Sequence, residues 1–404
     1  MNADLILKNG KVVREKGIVE ADILIENGKI LDLKKTGGKA EEKIDCKGKL
    51  ILPGLIDPHV HFREPGQIHK EDFSTGSMSA AFGGVTTVLD MPNNSPFIDT
   101  KRRFIGKKEL VEKKSCVDFG LFFGISTYGK DEINEVDPIG YKFYTAEEEL
   151  APLPELQYAM NQVENKIFAV HPEDPEIIER EDRGTPLAEY SAIKKVLELD
   201  SGTNKIHFCH VTSSKSVELS GDATCEVTPH HLFLDKKFAK ENAGFGKVHP
   251  PLRKKLEIDS LWNSLNKVDS LATDHAPHTI EEKKDENPPP GFPGVETLLP
   301  LMADAVSEGR LTWEELVRLL TGGAEIYGLE KKGKIKEGFD ADFAILDRKK
   351  EWEIKADKLH SKCGWTPYEG RKVKGKLEKT ILRGKVIVEQ REFFGRKGFG
   401  GYLK

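Results

Sequence analysis

Short β-rich runs alternate with longer polar or amphipathic stretches between residues 50 and 275. This alternation is typical of repeated βα units and a parallel sheet. Eight runs can be distinguished, at residues 50–56, 85–91, 117–125, 139–144, 166–170, 205–209, 223–227 and 270–273. Eight such units that close on themselves form a (β/α)8 barrel, in which catalytic groups lie at the C-terminal ends of the strands. We therefore predict an α/β fold with a TIM-type barrel and expect functional side chains where each run stops.

The two ends of the chain have a different pattern. Residues 1–49 contain short strands with turn dipeptides at Asn9-Gly10, Asn27-Gly28 and Lys47-Gly48, which is a β-hairpin pattern. The tail from residue 333 returns to short strands, and residues 7–13 resemble residues 382–388. We expect both termini to build one small β-sandwich domain beside the barrel. The predicted division assigns residues 1–52 and 331–404 to that domain and 53–330 to the barrel.

Two local signals lie between the barrel runs and the tail. Thr312 and Glu315 have the spacing of a capping box, which predicts a helix over residues 313–321. Residues 280–294 combine charged side chains with the run Pro-Pro-Pro-Gly-Phe-Pro-Gly, which indicates a loop after the eighth strand. Such a loop would lie over the mouth of the barrel.

Composition and charge narrow the class of protein. The 404-residue chain has a net charge of −5 and no basic block, which gives no support for nucleic acid or an anionic membrane as a partner. The first residues lack the long apolar core of a signal peptide, and no later run approaches the ~20 apolar residues of a membrane span. We therefore expect a cytoplasmic protein. The five cysteines are scattered without a C-x-x-C pair, so free thiols are expected rather than disulfides or a thiolate zinc site.

Two histidines with i, i+2 spacing follow the first apolar run. His59 and His61 face the same way if the run continues as a strand, so one strand can supply two metal ligands. Arg63, two positions after His61, would face the same way and place its guanidinium beside any ion that the histidines hold. The combination suggests hydrolysis of an anionic substrate, although isolated pairs of this kind also occur as ordinary core histidines.

Four more polar side chains stand at the ends of later runs, namely Lys142, His171, His210 and Asp274. Each has an ordinary explanation when taken alone, since a single histidine at a strand end is often structural and a lone aspartate often caps a helix. A barrel, however, brings all of these positions to one pocket together with the first two histidines. The sequence therefore predicts a metal site at the barrel mouth.

Lys142 has the least obvious role in this set. Alternation along its run turns Ile139, Tyr141 and Phe143 toward the helices and the lysine into the barrel, where an unpaired ammonium would be costly. Two interpretations remain open. The lysine is either paired with a buried acid, or it is an amine that has added carbon dioxide to become a carbamate, an anionic ligand able to bridge two divalent ions. Imidazole nitrogens and carboxylate-type oxygens together suit zinc.

With these residues, the chain resembles the amidohydrolase superfamily and, within it, the class I dihydroorotases. The resemblance extends from Leu52 to Leu382. It rests on the motifs His59-Val-His-Phe-Arg-Glu-Pro-Gly, Lys70-Glu-Asp-Phe, Gly83-Gly-Val-Thr-Thr-Val, Met91-Pro-Asn-Asn, His171-Pro-Glu-Asp, Cys209-His-Val-Thr, Glu226-Val-Thr-Pro-His-His-Leu, Pro250-Pro-Leu-Arg, Thr273-Asp-His-Ala-Pro-His and Trp365-Thr-Pro-Tyr-Glu-Gly.

The resemblance implies two Zn²⁺ ions per chain. One ion would be held by His59, His61 and Asp274, the other by His171 and His210, and both would be bridged by carboxylated Lys142 and a hydroxide. Some members of the class lack the bridging lysine and use fewer metals, so its presence argues for the two-metal arrangement. The resemblance also makes Asp274 the general acid and base, which moves a proton between the hydroxide and the substrate nitrogen.

The resemblance further implies which residues contact the substrate. Arg63 and Asn93 would grip the substrate carboxylate, because a guanidinium fork matches the two oxygens of a carboxylate. His278, together with Pro290 and Gly291 of the loop, would complete the pocket.

One position departs from the family pattern. Where many relatives have Asn-Pro-Pro-Leu-Arg, this chain has His249-Pro-Pro-Leu-Arg, which places a group that can titrate near pH 6.5 beside the substrate. We expect affinity for the anionic substrate to rise as the pH falls through the imidazole pKa. The alternative is that His249 merely packs ahead of Pro250 and Pro251.

The activity implied by the resemblance is the reversible cyclisation of N-carbamoyl-L-aspartate to dihydroorotate in de novo pyrimidine biosynthesis. Two kinds of protein partner stay open, a second copy of the chain and aspartate carbamoyltransferase. Two alternative functions are kept. An allantoinase or hydantoinase-like enzyme would share the metal ligands but usually lacks Arg63 and the Met-Pro-Asn-Asn context of Asn93. A non-catalytic scaffold relative has typically lost ligands that this chain retains.

Overall fold

The computed structural model describes residues 3–34, 39–147, 150–181, 183–200 and 202–404. Its strands are β1 (Ala3–Arg14), β2 (Gly17–Glu26), β3 (Lys29–Lys34), β4 (Ala40–Asp45), β5 (Leu50–Pro53), β6 (Leu55–Val60), β7 (Val85–Asp90), β8 (Asp118–Gly124), β9 (Gly140–Tyr144), β10 (Ile167–His171), β11 (Lys205–Phe208), β12 (Thr224–Val227), β13 (Ser270–Leu271), β14 (Phe343–Glu353), β15 (Lys372–Leu382), β16 (Lys385–Glu389) and β17 (Glu392–Phe393). Its α-helices are α1 (Phe73–Phe82), α2 (Lys101–Glu112), α3 (Leu153–Gln162), α4 (Pro175–Glu181), α5 (Leu187–Leu197), α6 (Ser214–Leu219), α7 (Pro229–Phe233), α8 (Lys236–Glu241), α9 (Lys255–Trp262), α10 (Ile280–Lys283), α11 (Leu298–Ser307), α12 (Trp313–Thr321) and α13 (Gly323–Ile326).

Strands β6 to β13 form one sheet in sequence order, and every pair in it is parallel. The first and last strands meet just beyond their ends, where Val60 forms a parallel bridge with His275 and the N–H of His61 donates to the carbonyl of His275 at 2.9 Å. This sheet is the predicted (β/α)8 barrel, and each of the eight predicted runs contributes a strand to it.

The first predicted run contains two strands rather than one. β5 pairs with β1 and β14, whereas β6 begins the barrel, and Gly54 lies between them. A Cβ atom at Gly54 would lie 2.2 Å from Oγ1 of Thr86, so only glycine lets the chain pass this close. Both strands are buried along their whole length, and a continuous apolar run therefore gives no sign of the change of sheet.

The other sheet takes its strands from both ends of the chain, as predicted. Its nine strands run in the order β17-β16-β15-β14-β5-β1-β2-β3, with β4 pairing with β1. It has a separate apolar core, to which Leu7, Ile23, Ile51, Phe343 and Ile381 belong. The protein thus combines a TIM-type barrel with a β-sandwich domain built from both termini.

Only one of the three predicted turn dipeptides is a hairpin turn. Asn27-Gly28 connects β2 to β3 with φ angles of 50° and 72°, as a two-residue turn of the primed type requires. Asn9-Gly10 lies inside β1 at a shift in register, so Asn9, with a φ of 60°, marks a β-bulge. Lys47-Gly48 joins β4 and β5, which both run parallel to β1, and is therefore not a hairpin turn.

Two predictions for the segments that follow the last barrel strand are confirmed. The capping box is present at α12, because the N–H of Glu315 donates to Oγ1 of Thr312 at 3.2 Å and the N–H of Thr312 donates to Oε2 of Glu315 at 2.7 Å. Residues 280–294 begin with the single turn of α10 and continue irregularly, and Pro290 and Gly291 reach the barrel mouth.

The five cysteines are buried free thiols, as predicted. Within the described ranges, the helices lack the combination of length and apolar character that crossing a membrane requires.

Candidate metal centre and substrate cavity

An open cavity of about 300 Å³ lies at the C-terminal ends of the barrel strands. Eleven of the twelve residues predicted for the site line it, namely His59, His61, Arg63, Asn93, His171, His210, His249, Asp274, His278, Pro290 and Gly291. The twelfth, Lys142, is completely buried and does not line the cavity. Five lining residues were not predicted, namely Tyr144, Ala146, Glu147, Arg183 and Ala276. The barrel thus brings the predicted residues together in one place.

A first group of possible metal ligands consists of His59, His61 and Asp274. Oδ1 of Asp274 lies 2.9 Å from Nε2 of His61 and 3.4 Å from Nε2 of His59. Potential ligand atoms of the three residues lie within 4.8 Å of one another, which is close enough for one ion to contact all of them. Burial lowers the pKa of His61 to about 4. Although burial favours the neutral acid, the neighbouring imidazoles hold the pKa of Asp274 well below its usual range, so His61 offers a neutral imidazole and Asp274 an ionised carboxylate.

A second group consists of His171 and His210, whose ring centroids are 4.6 Å apart. His210 is also 5.3 Å from His59, so the two groups are adjacent. Nδ1 of His210 is buried and has no hydrogen-bond partner among the described residues, and burial holds the pKa of His210 well below its usual range. Nε2 of His171 lies 2.9 Å from Oε2 of Glu173, and its Nδ1 has no hydrogen-bond partner among the described residues. Two adjacent imidazoles, each with a ring nitrogen that no described residue occupies, fit a second divalent ion.

Lys142 lies on β9 below the cavity. Its Nζ donates to Sγ of Cys209 at 2.9 Å and lies 5.0 Å from the centroid of the Tyr144 ring. In the described part of the chain, no carboxylate lies within 4.0 Å of this nitrogen, so the lysine is not paired with an acid. A buried ammonium without a counter-charge is costly. This observation favours the carbamate interpretation, which stays a prediction.

A buried carboxylate that the sequence analysis did not single out, Glu226 on β12, supports several of these histidines. Its Oε1 lies 2.5 Å from Nδ1 of His59 and accepts from the N–H of His210 at 3.3 Å, and its Oε2 lies 3.1 Å from Nε2 of His207. Although burial opposes ionisation, the neighbouring His59 and His207 keep the pKa of Glu226 far below its usual range. The signal in the sequence was a carboxylate inside an apolar run, at a position that the barrel must bury.

The backbone is left-handed at three of the predicted site residues. φ is 38° at His210, 46° at Asp274 and 63° at Arg63. Non-glycine residues adopt this conformation rarely, and it is maintained only where surrounding contacts impose it. The surrounding contacts therefore impose this conformation at three positions whose side chains line the cavity.

Arg63 and His278 lie against each other in one wall of the cavity. Nε of Arg63 donates to the carbonyl of Pro277 at 3.1 Å, and its Nη2 lies 3.1 Å from Nε2 of His278. Nε2 of His278 also lies 3.0 Å from the carbonyl of Pro290. Burial, and then the nearby Arg63 and Lys70 cations, lower the pKa of His278 to about 2. A neutral His278 that donates to Pro290 from Nε2 does not also accept from Arg63. Within the described ranges, no carboxylate lies within 4.0 Å of the Arg63 guanidinium.

Asn93 lines the cavity, but its oxygen is occupied by a histidine. Oδ1 of Asn93 accepts from Nδ1 of His61 at 2.5 Å. This contact places the ring proton on Nδ1 and directs Nε2 toward Asp274, which is the orientation that a metal ligand needs. The side chain therefore supports His61 in addition to the substrate contact that was predicted for it.

His249 lines the cavity beside a second guanidinium, that of Arg183. Nη1 of Arg183 contacts Nδ1 of His249. Burial, and then the Arg183 charge, lower the pKa of His249 to about 3. Both effects move the pKa of His249 below the value near 6.5 that was predicted, and the influence of this histidine on substrate affinity stays a prediction. The sequence alone did not show that Arg183, 66 positions away, would lie against this imidazole.

Comparison with known proteins shows similarity along nearly the whole chain. A family model described as dihydro-orotase-like matches residues 48–134, and one described as an amidohydrolase family matches residues 287–388. The dihydroorotase of Pyrococcus furiosus is 39% identical over 405 residues, which cover 97% of this chain and 94% of that protein. The multifunctional protein pyr1-3 of Dictyostelium discoideum is 38% identical over 378 residues, which cover 90% of this chain and 16% of that protein.

Solved structures include close matches to the complete fold. The L-hydantoinase (dihydropyrimidinase) from Arthrobacter aurescens matches with a TM-score of 0.94 at 29% identity, over 99% of each chain. The barrel and the nine-stranded sheet therefore occur together in another protein.

Proposed function

Because the chain belongs to the dihydroorotases of the amidohydrolase family, which are cyclic amide hydrolases, we propose that it interconverts N-carbamoyl-L-aspartate and dihydroorotate. The observation that carries this proposal is a single cavity in which two groups of histidines and the guanidinium of Arg63 face the same space. Such a cavity can receive a cyclic amide at the histidines while the guanidinium binds its carboxylate.

The same proposal includes two zinc ions. His59, His61 and Asp274 would hold one ion, His171 and His210 the other, and a carboxylated Lys142 would lie between them. The donor set fits, because imidazoles and an ionised carboxylate converge. Among the described residues, Nδ1 of His210 lacks a partner and no acid lies beside the buried Lys142. When bound, the ions would supply a polarised carbonyl and an activated water.

Asp274 is the residue to which we assign proton transfer. In ring opening, its carboxylate accepts the proton of the attacking water and then returns it to the ring nitrogen as the amide bond breaks. In ring closure it accepts the amide proton, so the same carboxylate acts as base and as acid. Its low pKa keeps it ionised at neutral pH and ready to accept the proton first.

Binding and orientation of the substrate are assigned to the wall that contains Arg63 and His278. Arg63 binds the carboxylate with two parallel hydrogen bonds, and Asn93, His249 and His278 lie around it. Pro290 and Gly291 cover the remaining side of the cavity. The substrate carboxylate is thereby placed at one side and the scissile amide at the histidines.

The second candidate function is that of a hydantoinase-like enzyme, which the structural match to the Arthrobacter aurescens L-hydantoinase favours. The two candidates differ in the charge of the substrate beside the ring. Arg63 has no carboxylate partner within 4.0 Å in the described residues, which suits an anionic ring better than a neutral one. A non-catalytic scaffold is disfavoured because the predicted ligand side chains are retained and converge.

The deciding experiment is a direct assay of the purified protein on dihydroorotate, allantoin and a hydantoin, combined with a count of bound metal by mass spectrometry. We expect turnover of dihydroorotate and about two zinc ions per chain. Turnover of a hydantoin without turnover of dihydroorotate would replace the proposal by the second candidate.

The proposal also covers the partners of the protein and its location in the cell. The Dictyostelium discoideum relative is a multifunctional protein that is much longer than this chain. We propose that this chain associates with aspartate carbamoyltransferase or with a second copy of itself, and that it works in the cytoplasm without nucleic-acid or membrane partners. Sedimentation of the purified protein, alone and mixed with aspartate carbamoyltransferase, tests the association.

A further inference from the structure

Lys283, the last residue of α10, is a buried lysine that the proposed reaction does not use. It is 1% exposed, and its Nζ donates to three backbone carbonyls, those of Pro289 at 2.9 Å and of Lys247 and Gly291 at 3.1 Å. An ammonium has three protons to donate, so each finds an acceptor. The side chain is therefore fully hydrogen-bonded without any contact to the cavity itself.

The three carbonyls belong to two segments that form a wall of the substrate cavity. Pro289 and Gly291 enclose Pro290, which lines the cavity, and Lys247 precedes His249, which also lines it. The N–H of Gly291 donates to the carbonyl of Lys247 at 3.1 Å, so the two segments also contact each other directly. The carbonyl of Pro290, between the two that Lys283 binds, points to His278 instead.

The environment of Lys283 shows that these carbonyls are its main polar partners. In the described ranges no carboxylate lies within 4.0 Å of its Nζ, which is 5.5 Å from the centroid of Trp365 and 5.7 Å from that of Phe292. Burial, and then the nearby Lys247 and Arg63 cations, lower the pKa of Lys283 to about 8, so the side chain is mostly an ammonium at neutral pH.

We propose that Lys283 is a positioning residue that holds the segment 288–291 against the segment 247–249 and so sets the affinity of the cavity for its substrate. The substrate in this inference rests on the proposed function, whereas the positioning of the segments does not. Without the ammonium, the carbonyls of Pro289 and Gly291 lose the only partner that the described residues give them. Leaving these buried or partly buried carbonyls unsatisfied favours conformations in which the segment moves away and water reaches them.

The first test is the variant Lys283→Met, which keeps an apolar stem of similar length and removes the donors. We expect KM for dihydroorotate to rise about tenfold while kcat changes less than about twofold, because the loss affects binding and not the reacting groups. The matched control is Lys284→Met, a change at the exposed neighbour on the same turn, which leaves both constants unchanged. An unchanged KM in Lys283→Met, or a fall in kcat equal to the fall in kcat/KM, overturns the proposal.

A second test uses Gly291, whose φ is 138° and whose added Cβ would lie 2.5 Å from the carbonyl of Ala276. Gly291→Ala should displace the same segment from the other side and raise KM in the same way. In the double variant with Lys283→Met, the rise should be no larger than that of the stronger single change, because both act on one segment. If KM in the double variant rose by the product of the two single increases, Lys283 would not act on the segment that contains Gly291, and the proposal would be overturned.

Hydrogen exchange separates this inference from the proposed function. The amide of Gly291, protected by the Lys247 carbonyl, should exchange at least about tenfold faster in Lys283→Met, whereas amides of the barrel strands stay protected. Equal exchange at Gly291 in both proteins would overturn the proposal even if KM changed. If the parent protein does not turn over dihydroorotate but Gly291 is deprotected in the variant, the proposed function fails while the positioning role of Lys283 stands.

Discussion

At the scale of single residues, three of the four histidines assigned to metal binding have one ring nitrogen already occupied by a protein acceptor. Nδ1 of His59 lies against Glu226, Nδ1 of His61 against Asn93, and Nε2 of His171 against Glu173. Such contacts set the tautomer and the orientation of each ring before any ion is bound. The protein itself therefore orients these three imidazoles in the cavity.

Lys142→Ala should lose activity and at least one metal ion per chain. The proposed carbamate is the only protein ligand assigned to both ions, so its removal leaves the His171 and His210 ion with two protein ligands instead of three. Metal content and activity would be measured on the same preparation, with Lys113→Ala, a change at an exposed lysine, as the control. Full metal content together with full activity would contradict the bridging role.

Asp274→Asn should keep the fold and lose most of the activity. An amide occupies the same space but cannot accept the proton of the attacking water, so kcat should fall by at least ~10² to 10⁴-fold. Circular dichroism and the thermal midpoint would confirm that the variant is folded. Turnover within a few-fold of the parent protein would mean that another group is the base.

Arg63→Met should discriminate between an anionic and a neutral ring. The guanidinium would bind only the carboxylate, and losing a hydrogen bond to a charged group costs about 1.5–3 kcal/mol, so kcat/KM for dihydroorotate should fall about 10- to 150-fold. The same ring without its carboxylate, dihydrouracil, should be affected much less. Equal losses for both compounds would remove the main argument against a hydantoinase-like function.

At the scale of elements, the sequence predicted the strands of the barrel but not the places where strands change sheet or bulge. Each apolar run of the barrel marks a strand because a parallel strand is buried on both faces, and the side chains at its C-terminal end could therefore be assigned to one pocket. By contrast, β5 and β6 read as one run, although they belong to two sheets. Asn9-Gly10 read as a turn because a bulge and a turn both favour a positive φ. Glu226, which contacts His59, was missed because the two residues are 167 positions apart in the sequence.

Gly54→Ala should test the joint between β5 and β6. The new methyl group would lie 2.2 Å from Oγ1 of Thr86 and 2.7 Å from Cβ of Asp342, which forces side chains or backbone to move and costs about 1–3 kcal/mol of unfolding free energy. The control is Gly106→Ala on α2, where an added methyl group meets no atom within 4 Å. There the better helix propensity of alanine should leave stability unchanged or slightly higher. Equal stability of the two variants in urea would show that the joint tolerates a side chain.

At the scale of the whole molecule, the barrel and the nine-stranded sheet are joined on the side away from the cavity by a buried cluster of charges. Nζ of Lys332 donates to Oδ2 of Asp342 at 2.7 Å, lies 2.9 Å from Oδ2 of Asp340 and contacts Asp118 at the start of β8. Although burial disfavours the ammonium, these carboxylates raise the pKa of Lys332 above its usual value. The sequence predicted a barrel and a small β domain built from both termini. It did not indicate the contact between Lys332 and Asp118, because 214 positions separate the two residues.

Lys332→Met should therefore lower the stability of the protein without touching its chemistry. Removing the cation leaves Asp342 buried without a counter-charge among the described residues and Asp118 with Arg383 alone, and breaking a buried ion pair in this way costs about 3–5 kcal/mol. Chemical denaturation would measure the loss, with Lys331→Met, a change at the exposed neighbour, as the matched control. Because Asp118 stands at the N-terminal end of its strand and the cavity lies at the C-terminal ends, kcat and KM should stay near those of the parent protein at temperatures where the variant is folded. A variant as stable as the parent would mean that the three carboxylates are balanced by other groups, such as Arg383, which also contacts Asp118.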